Sequence, residues 1–122
     1  MGILLWEVTM RILRSETTVF CFKRKDGEGN VIETLPDDMF FTVKKDHHQK
    51  EALISKTLLN GGISFDPETF AYTVTLLPGD TDGLPFGKYC FDIKRKLGND
   101  EKYILPKTEL EIAAVVTHLA NE

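Results

Sequence analysis

The histidines are the first residues to test for metal or acid–base chemistry. His47 and His48 are adjacent in the chain, and His118 stands alone further on. Neighbouring residues in a strand or loop point in different directions, whereas a zinc-binding helix places its two histidines at i and i+4 on one face. The spacing therefore predicts no metal site, and we expect no cofactor.

The two cysteines, Cys21 and Cys90, invite comparison with the disulfide that joins the sheets of immunoglobulin domains. Cys90 lies between Tyr89 and Phe91, which share the apolar parity of their segment, and Cys21 likewise lies between two phenylalanines. Because alternate residues of a strand point to opposite faces, both thiols should face away from the core. We expect two free thiols in a reducing compartment.

The acidic turn around Asp80 and Asp82 could bind calcium, since alternate carboxylates ahead of a glycine are used in calcium loops. Residues 84–87 offer no side-chain oxygen, however, and no glutamate closes the ring, so a loop of Asx-type turns is the better interpretation. No pair of carboxylates stands out for glycoside hydrolysis. Motifs for a serine nucleophile or a phosphate-binding loop are missing from the sequence. We predict no catalytic residues and a non-enzymatic protein.

The length and net charge of the chain indicate the class of protein and exclude some partners. The chain has 122 residues, 42% of them hydrophobic, and a net charge of -4, which predicts one soluble domain without a nucleic-acid partner. No run approaches the roughly 18 apolar residues of a membrane span. The apolar start is interrupted by Glu7 and lacks a basic region before it. We therefore expect no membrane association and a cytoplasmic location.

Alternation of apolar and polar residues predicts strands through most of the chain. Two alternating segments flank a turn-rich stretch at 77–87, which indicates a β-hairpin or a β-arch. Their apolar positions are Phe70, Tyr72, Val74 and Leu76 before the turns, and Tyr89, Phe91 and Ile93 after them. Tyr89 follows Gly87 by two residues at a strand start, which is typical of the tyrosine corner of Greek-key sandwiches.

Other elements follow from turn residues and from competing periodicities. The turn at 26–30 suits a hairpin. Residues 52–59 fit a strand or a helical turn, and 108–116 fit either alternation or a helix with a capping box at Thr108 and Glu111, of which we favour the strand. Together these elements predict an all-β, immunoglobulin-like Greek-key β-sandwich of about 7–9 strands spanning 10–122, with 1–9 as an extension or an extra edge strand.

Several stretches resemble one family of phage proteins. They are Met10-Arg-Ile-Leu-Arg14 with the following Thr-Val-Phe-Cys-Phe, then Leu35-Pro-Asp-Asp-Met-Phe-Phe-Thr-Val-Lys-Lys45, and Asp80-Thr-Asp-Gly-Leu-Pro-Phe-Gly-Lys-Tyr-Cys-Phe-Asp-Ile-Lys94. The chain is similar to small β-sandwich structural proteins of tailed phages and prophages, nearest the N-terminal domain of phage baseplate upper proteins. One departure is Ser15-Glu-Thr17, where the family more often has Gly-Asp-Thr.

The resemblance implies a building block of a virion, a tail, baseplate or head-tail component that acts through protein–protein assembly. Its partners would be other virion proteins, with a possible homo-oligomer, and its location the bacterial cytoplasm during assembly and then the virion. We expect the interaction residues to be Ile3, Leu4, Leu5, Trp6 and Phe86, with Gly87 and Tyr89 in structural roles. The alternative is a carbohydrate- or ligand-binding module, for which Phe40 and Phe86 are the aromatic residues left outside the core pattern.

Overall fold

The computed structural model describes residues 10–46 and 48–114. Within these ranges the chain forms eight strands and one short helix. The strands are β1 (Met10–Leu13), β2 (Thr18–Lys23), β3 (Asp38–Lys44), β4 (Ile54–Thr57), β5 (Ile63–Asp66), β6 (Ala71–Leu76), β7 (Gly87–Leu97) and β8 (Asp100–Ala113), and the helix is α1 (Pro78–Thr81). The prediction of an all-β chain is confirmed.

The strands are divided between two sheets. One has the order β1-β8-β7-β3-β4, and the other has the order β2-β6-β5. Every pairing between these strands is antiparallel except that of β1 with β8, which runs parallel from Met10 beside Leu110 to Leu13 beside Ala113. Because β1 and β2 belong to different sheets, the chain crosses from one sheet to the other directly after its first described strand.

An apolar core fills the space between the sheets. The ring of Phe20 on β2 lies 5.5 Å from that of Phe41 on β3, and Phe41 lies 5.3 Å from Phe91 on β7. Alternate positions of each central strand are buried, because one face of each sheet is removed from water. The predicted inward residues that are buried are Tyr72, Val74, Leu76, Tyr89, Phe91 and Ile93.

Phe70 departs from the predicted alternation. Its φ of 61° lies in the left-handed region, and its N–H donates to the carbonyl of Asp66 at 2.7 Å. β6 therefore begins one residue later, at Ala71. Phe70 is a turn residue whose ring rests against Phe65 at 6.4 Å, so it contributes to the edge of the core and not to a strand.

The connection from β6 to β7 is an arch, because these strands lie in different sheets. Helix α1 begins at Pro78, whose fixed φ and missing N–H suit the first position of a helix. The Asp80 carboxylate accepts a hydrogen bond of 2.7 Å from the Leu77 N–H and pairs with Lys56 Nζ at 2.8 Å. The expectation of an Asx-turn loop at Asp80 is therefore wrong, since this carboxylate caps a helical turn.

The two segments whose sequences fitted either a strand or a helix form strands. β4 occupies part of 52–59, and β8 covers the competing segment as far as Ala113. The Thr108 hydroxyl donates to the Pro106 carbonyl at 2.8 Å and does not cap a helix. Residues beyond Ala114 lie outside the described part of the chain.

The predicted turn at 26–30 forms around one carboxylate. Asp26 Oδ1 accepts hydrogen bonds from the N–H groups of Glu28, at 2.8 Å, and Asn30, at 3.0 Å. These backbone donors lower the pKa of Asp26. The expected hairpin is reduced to a single antiparallel bridge between Lys25 and Val31.

Candidate functional site

Phe86 is the predicted interaction residue that falls in the described part of the chain. Its side chain is 50% exposed, although a phenylalanine at the end of a core would ordinarily be covered. The guanidinium carbon of Arg14 lies 4.0 Å from the centroid of the Phe86 ring, and Arg14 also donates to the Leu84 carbonyl at 3.3 Å. The ring is thus held in place by a cation–π contact while keeping part of its surface open to a partner.

The other predicted interaction residues are not described by the structure. These are Ile3, Leu4, Leu5 and Trp6. His47 and His118 also lie outside the described residues, whereas His48 is exposed in the turn after β3.

The loop that carries Phe86 is anchored to the connection between β1 and β2. The Ser15 N–H donates to the Thr81 hydroxyl at 2.8 Å, and the Ser15 hydroxyl bonds to the Asp82 carboxylate. Thr81 is almost fully buried, so its bond with the Ser15 N–H is partly shielded from water, whereas the bond between Ser15 and Asp82 is exposed. Ser15 adopts a φ of 67°, an uncommon backbone conformation that the two hydrogen bonds help to hold. Phe86 therefore stands on a fixed loop.

Tyr89 also holds the loop that carries Phe86, through a hydrogen bond to its backbone. Its hydroxyl donates to the Pro85 carbonyl at 2.6 Å, the bond back to the upstream backbone that a tyrosine corner uses. Lys45 Nζ lies 4.5 Å from the centroid of the Tyr89 ring and donates to the Lys88 carbonyl at 3.0 Å. Burial raises the pKa of Tyr89, although the charge of Arg14 acts in the opposite direction. Tyr89 remains a neutral donor at physiological pH.

Gly87 has the backbone that this corner needs. Its φ of 137° is a backbone conformation that residues with a side chain rarely adopt, and it is the first residue of β7, directly after exposed Phe86. Arg14, Lys45 and Phe86 together form what we call the end surface, a basic and aromatic patch at this end of the molecule. The two cations and the aromatic ring can attract a partner through charge and apolar contact. None of the three side chains is a nucleophile at neutral pH, so the end surface suits non-covalent binding.

Apart from the end surface, a cleft lies on the outer face of the larger sheet. The pairing of β7 with β8 shifts register on both sides of Ile93, and β8 bulges there around Pro106 and Lys107. The bulge leaves a cleft of about 360 Å³ above Asp92, with Tyr103 on its rim. Bulges re-aim side chains next to binding sites in many sheets. The local irregularity of β8 thus creates the cleft.

Electrostatics within this cleft are mixed. Burial raises the pKa of Asp92, while the nearby Lys94 and Lys44 act to lower it. Burial likewise raises the pKa of the Cys90 thiol, which makes it a poor nucleophile at neutral pH. Lys94 is engaged by Glu101 at 3.2 Å and lies 5.3 Å from the Tyr103 ring centroid. Hydrogen bonding to a polar ligand is the chemistry this cleft can supply.

The two thiols are free, as alternation predicted. Cys21 is exposed on β2, with its sulfur 3.3 Å from the Thr73 hydroxyl. Cys90 is half-buried on β7 and donates weakly to the Lys44 carbonyl at 3.6 Å. They lie on the outer faces of different sheets, so neither can reach the other.

The described ranges contain neither a cluster of metal-ligating side chains nor a helix that could span a membrane. Residues 10–46 and 48–114 hold no cluster of three or more metal-ligating side chains. In the same ranges, no helix combines the length and the apolar character needed to cross a membrane.

Sequence reasoning missed the Asp92 cleft and the Arg14–Phe86 contact. A signal for the cleft was Pro106 within an otherwise alternating segment, since proline inside a strand pattern often marks a bulge. No local signal joins Arg14 to Phe86, because they meet only after the chain has crossed between the sheets.

No protein-family model matches the chain, and no curated protein matches it significantly.

Proposed function

We propose that this chain is a non-enzymatic structural protein of a phage or prophage, a tail, baseplate or head-tail component that acts through protein–protein assembly. It would be made in the bacterial cytoplasm and then carried in the virion, with other virion proteins as partners. The resemblance of its strand motifs to baseplate upper proteins suggests this setting, and the surface chemistry supports the mode of action.

The observation that carries the assembly role is a group of exposed apolar side chains near one open groove. Val19 is 55% exposed and lies opposite Thr75 on the outer face of the smaller sheet. Leu77 is 53% exposed and lines a groove of about 420 Å³ with Thr75 and Asn60. Leu59, which is 76% exposed, directly precedes Asn60 in the chain. Apolar side chains grouped in this way, with polar residues around them, are typical of protein-binding surfaces.

The strand order supports the proposed immunoglobulin-like Greek key. In immunoglobulin domains one sheet contains strands A, B, E and D, and the other contains C, F and G, with C′ added in the variable type. Read in chain order, β2-β6-β5 corresponds to B-E-D, and β8-β7-β3-β4 corresponds to G-F-C-C′. The corner hydrogen bond of Tyr89 at the start of β7 agrees with this correspondence, because β7 would be strand F.

Virion content tests this proposal directly. A bacterium that carries the gene would be induced, and its phage particles purified through a density gradient and probed with an antibody to this chain. The expected result is co-sedimentation with the particles at a constant ratio to a capsid protein. Recovery only in the fraction of free proteins would contradict the proposal, as would a gene neighbourhood of metabolic enzymes without capsid, portal or tail genes.

A carbohydrate-binding function is the second candidate, and the Asp92 cleft is the observation that favours it. Tyr103 is 58% exposed on the rim, and an aromatic ring beside a carboxylate is a frequent arrangement for sugars. A glycan array would test this function with the unchanged chain and with the Tyr103→Ala and Phe86→Ala variants. Specific binding lost in either variant would favour the carbohydrate function over assembly.

A further inference from the structure

Each sheet has two edge strands, and three of the four are poorly suited to pair with another strand. β1, β4 and β5 have four residues each. Lys56 of β4 lies opposite Phe41 and so faces the core side, and an inward charge on an edge strand discourages added strands. Pro67 follows β5 directly, where it supplies no backbone N–H.

β2 carries none of these protective features. Its six residues pair with β6 in unbroken register from Thr18 to Lys23. Among residues 10–46 and 48–114, β6 is the only strand beside it, so within these ranges no strand hydrogen-bonds to its other edge. Four of the six residues of β2 are apolar: Val19 and Cys21 are exposed outward, while Phe20 and Phe22 face the core and stay partly exposed.

We propose that the free edge of β2 pairs with the β2 edge of a second copy of this chain, antiparallel about a twofold axis. The two smaller sheets then form one continuous sheet. This inference rests on the proposed assembly role, for which it names one surface and one partner. A twofold contact is the commonest closed symmetry of protein oligomers, and it requires an edge that complements itself.

The sequence of β2 meets that requirement in one register. With Cys21 opposite its own copy, Phe20 faces Phe22 across the contact twice, on the side of the two cores. Val19 then lies opposite Lys23, so the two lysines are at opposite ends of the contact. Cross-strand aromatic pairs stabilise antiparallel sheets, whereas like charges placed directly opposite destabilise them. A register centred on Phe20 would form only one aromatic pair.

Oligomeric state tests the contact with two matched substitutions. Cys21, Thr73 and Ser64 form one row across the outer face of the smaller sheet, with Cys21 on the β2 edge and Ser64 on the β5 edge. Sedimentation equilibrium of the full chain under reducing conditions should show monomer and dimer. Cys21→Glu places two carboxylates opposite each other and should weaken the dimer by up to about fivefold. Ser64→Glu adds the same charge to the same face and should leave the dimer unchanged.

Crosslinking tests the register. In a Cys90→Ser chain, Cys21 is the remaining thiol, and directly opposite Cβ atoms in such a pair are about 4.5–5.5 Å apart. A short bismaleimide should therefore join two chains through Cys21. A monomer at every concentration, equal weakening by both glutamate substitutions, or no crosslinked dimer would each overturn the proposal. A monomeric chain that still co-purifies with virions would overturn the β2 contact alone, and a β2 dimer missing from virions would overturn the phage function alone.

Discussion

The hydroxyl of Tyr89 donates a hydrogen bond of 2.6 Å to the carbonyl of Pro85, four residues earlier in the chain. This contact closes the loop that presents Phe86 and joins it to the start of β7. The Tyr89 ring is itself buried in the core. One side chain thus couples the packing between the sheets to the geometry of the end surface.

Replacing Tyr89 by phenylalanine should lower the free energy of unfolding by about 1 kcal/mol, since a typical internal hydrogen bond contributes about 0.5–1.5 kcal/mol. The ring still fills its place in the core, so the change isolates the hydroxyl. Urea denaturation of the Tyr89→Phe variant measures the effect. Tyr103→Phe is the matched control, because Tyr103 is exposed and its variant should stay within about 0.5 kcal/mol of the original. Equal stability of the two variants would show that the corner bond contributes nothing.

Tyr72 should give the opposite result. It is fully buried on β6 between Phe22, with ring centroids 5.4 Å apart, and Phe65, at 4.9 Å. Its hydroxyl has no hydrogen-bond partner among the residues that the structure describes. A buried hydroxyl without a partner costs about 1–3 kcal/mol, so Tyr72→Phe should keep or raise the free energy of unfolding. A loss above about 1 kcal/mol in urea denaturation would reveal a partner for this hydroxyl outside the described ranges.

Gly62 lies against Lys56 and tolerates no side chain. A Cβ at Gly62 would meet Lys56 Cδ at 2.7 Å, its Cβ at 2.8 Å and its backbone Cα at 3.0 Å. Gly62→Ala should therefore lower the free energy of unfolding by about 1–3 kcal/mol, the usual cost of overpacking. Thermal or urea unfolding measures it. Gly27→Ala is the control, because a Cβ at Gly27 meets nothing within 4 Å, and similar losses in both variants would contradict the role of this contact.

Alternation predicted most of the fold because burial of one sheet face forces every second residue to be apolar. Tyr72 and Phe91 could be assigned to the core in this way. The pairing of β1 with β8 could not, since it depends on contacts between distant parts of the chain, for which a single sequence holds no register signal. α1 was missed because Asp80 reads equally well as a turn residue and as a helix cap.

The candidate site was less predictable than the fold. Phe86 was identified because it lies outside the core pattern beside a turn. Arg14, its partner, is far away in sequence, and the cleft above Asp92 depends on how β8 bulges around Pro106. Both features form only when distant parts of the chain fold together, and the residues that form them carry no recognisable sequence motif.

Asp92 should make stability depend on pH in a direction unusual for a carboxylate. Burial raises the pKa of Asp92 above its ordinary value of 3.8, so the folded state holds the Asp92 proton more tightly than the unfolded state does. Ionised Asp92 therefore lowers the free energy of unfolding at neutral pH. This loss of stability disappears as the pH falls through the raised pKa of the folded state to below the pKa of Asp92 in the unfolded chain. Asp92→Asn should be more stable than the original chain at pH 7, and the difference should shrink on acidification in urea unfolding.

Asp66 is the control of opposite sign for that experiment. The N–H of Glu68 donates to its carboxylate at 2.8 Å, and this bond lowers the pKa of Asp66. Its contribution to stability is present above the unfolded pKa and is lost as the pH falls through the lowered one. Asp66→Ala should thus be less stable than the original chain at pH 7 and approach it in acid. If the Asp92→Asn and Asp66→Ala differences changed in the same sense with pH, the assigned environment of Asp92 in the cleft would be wrong.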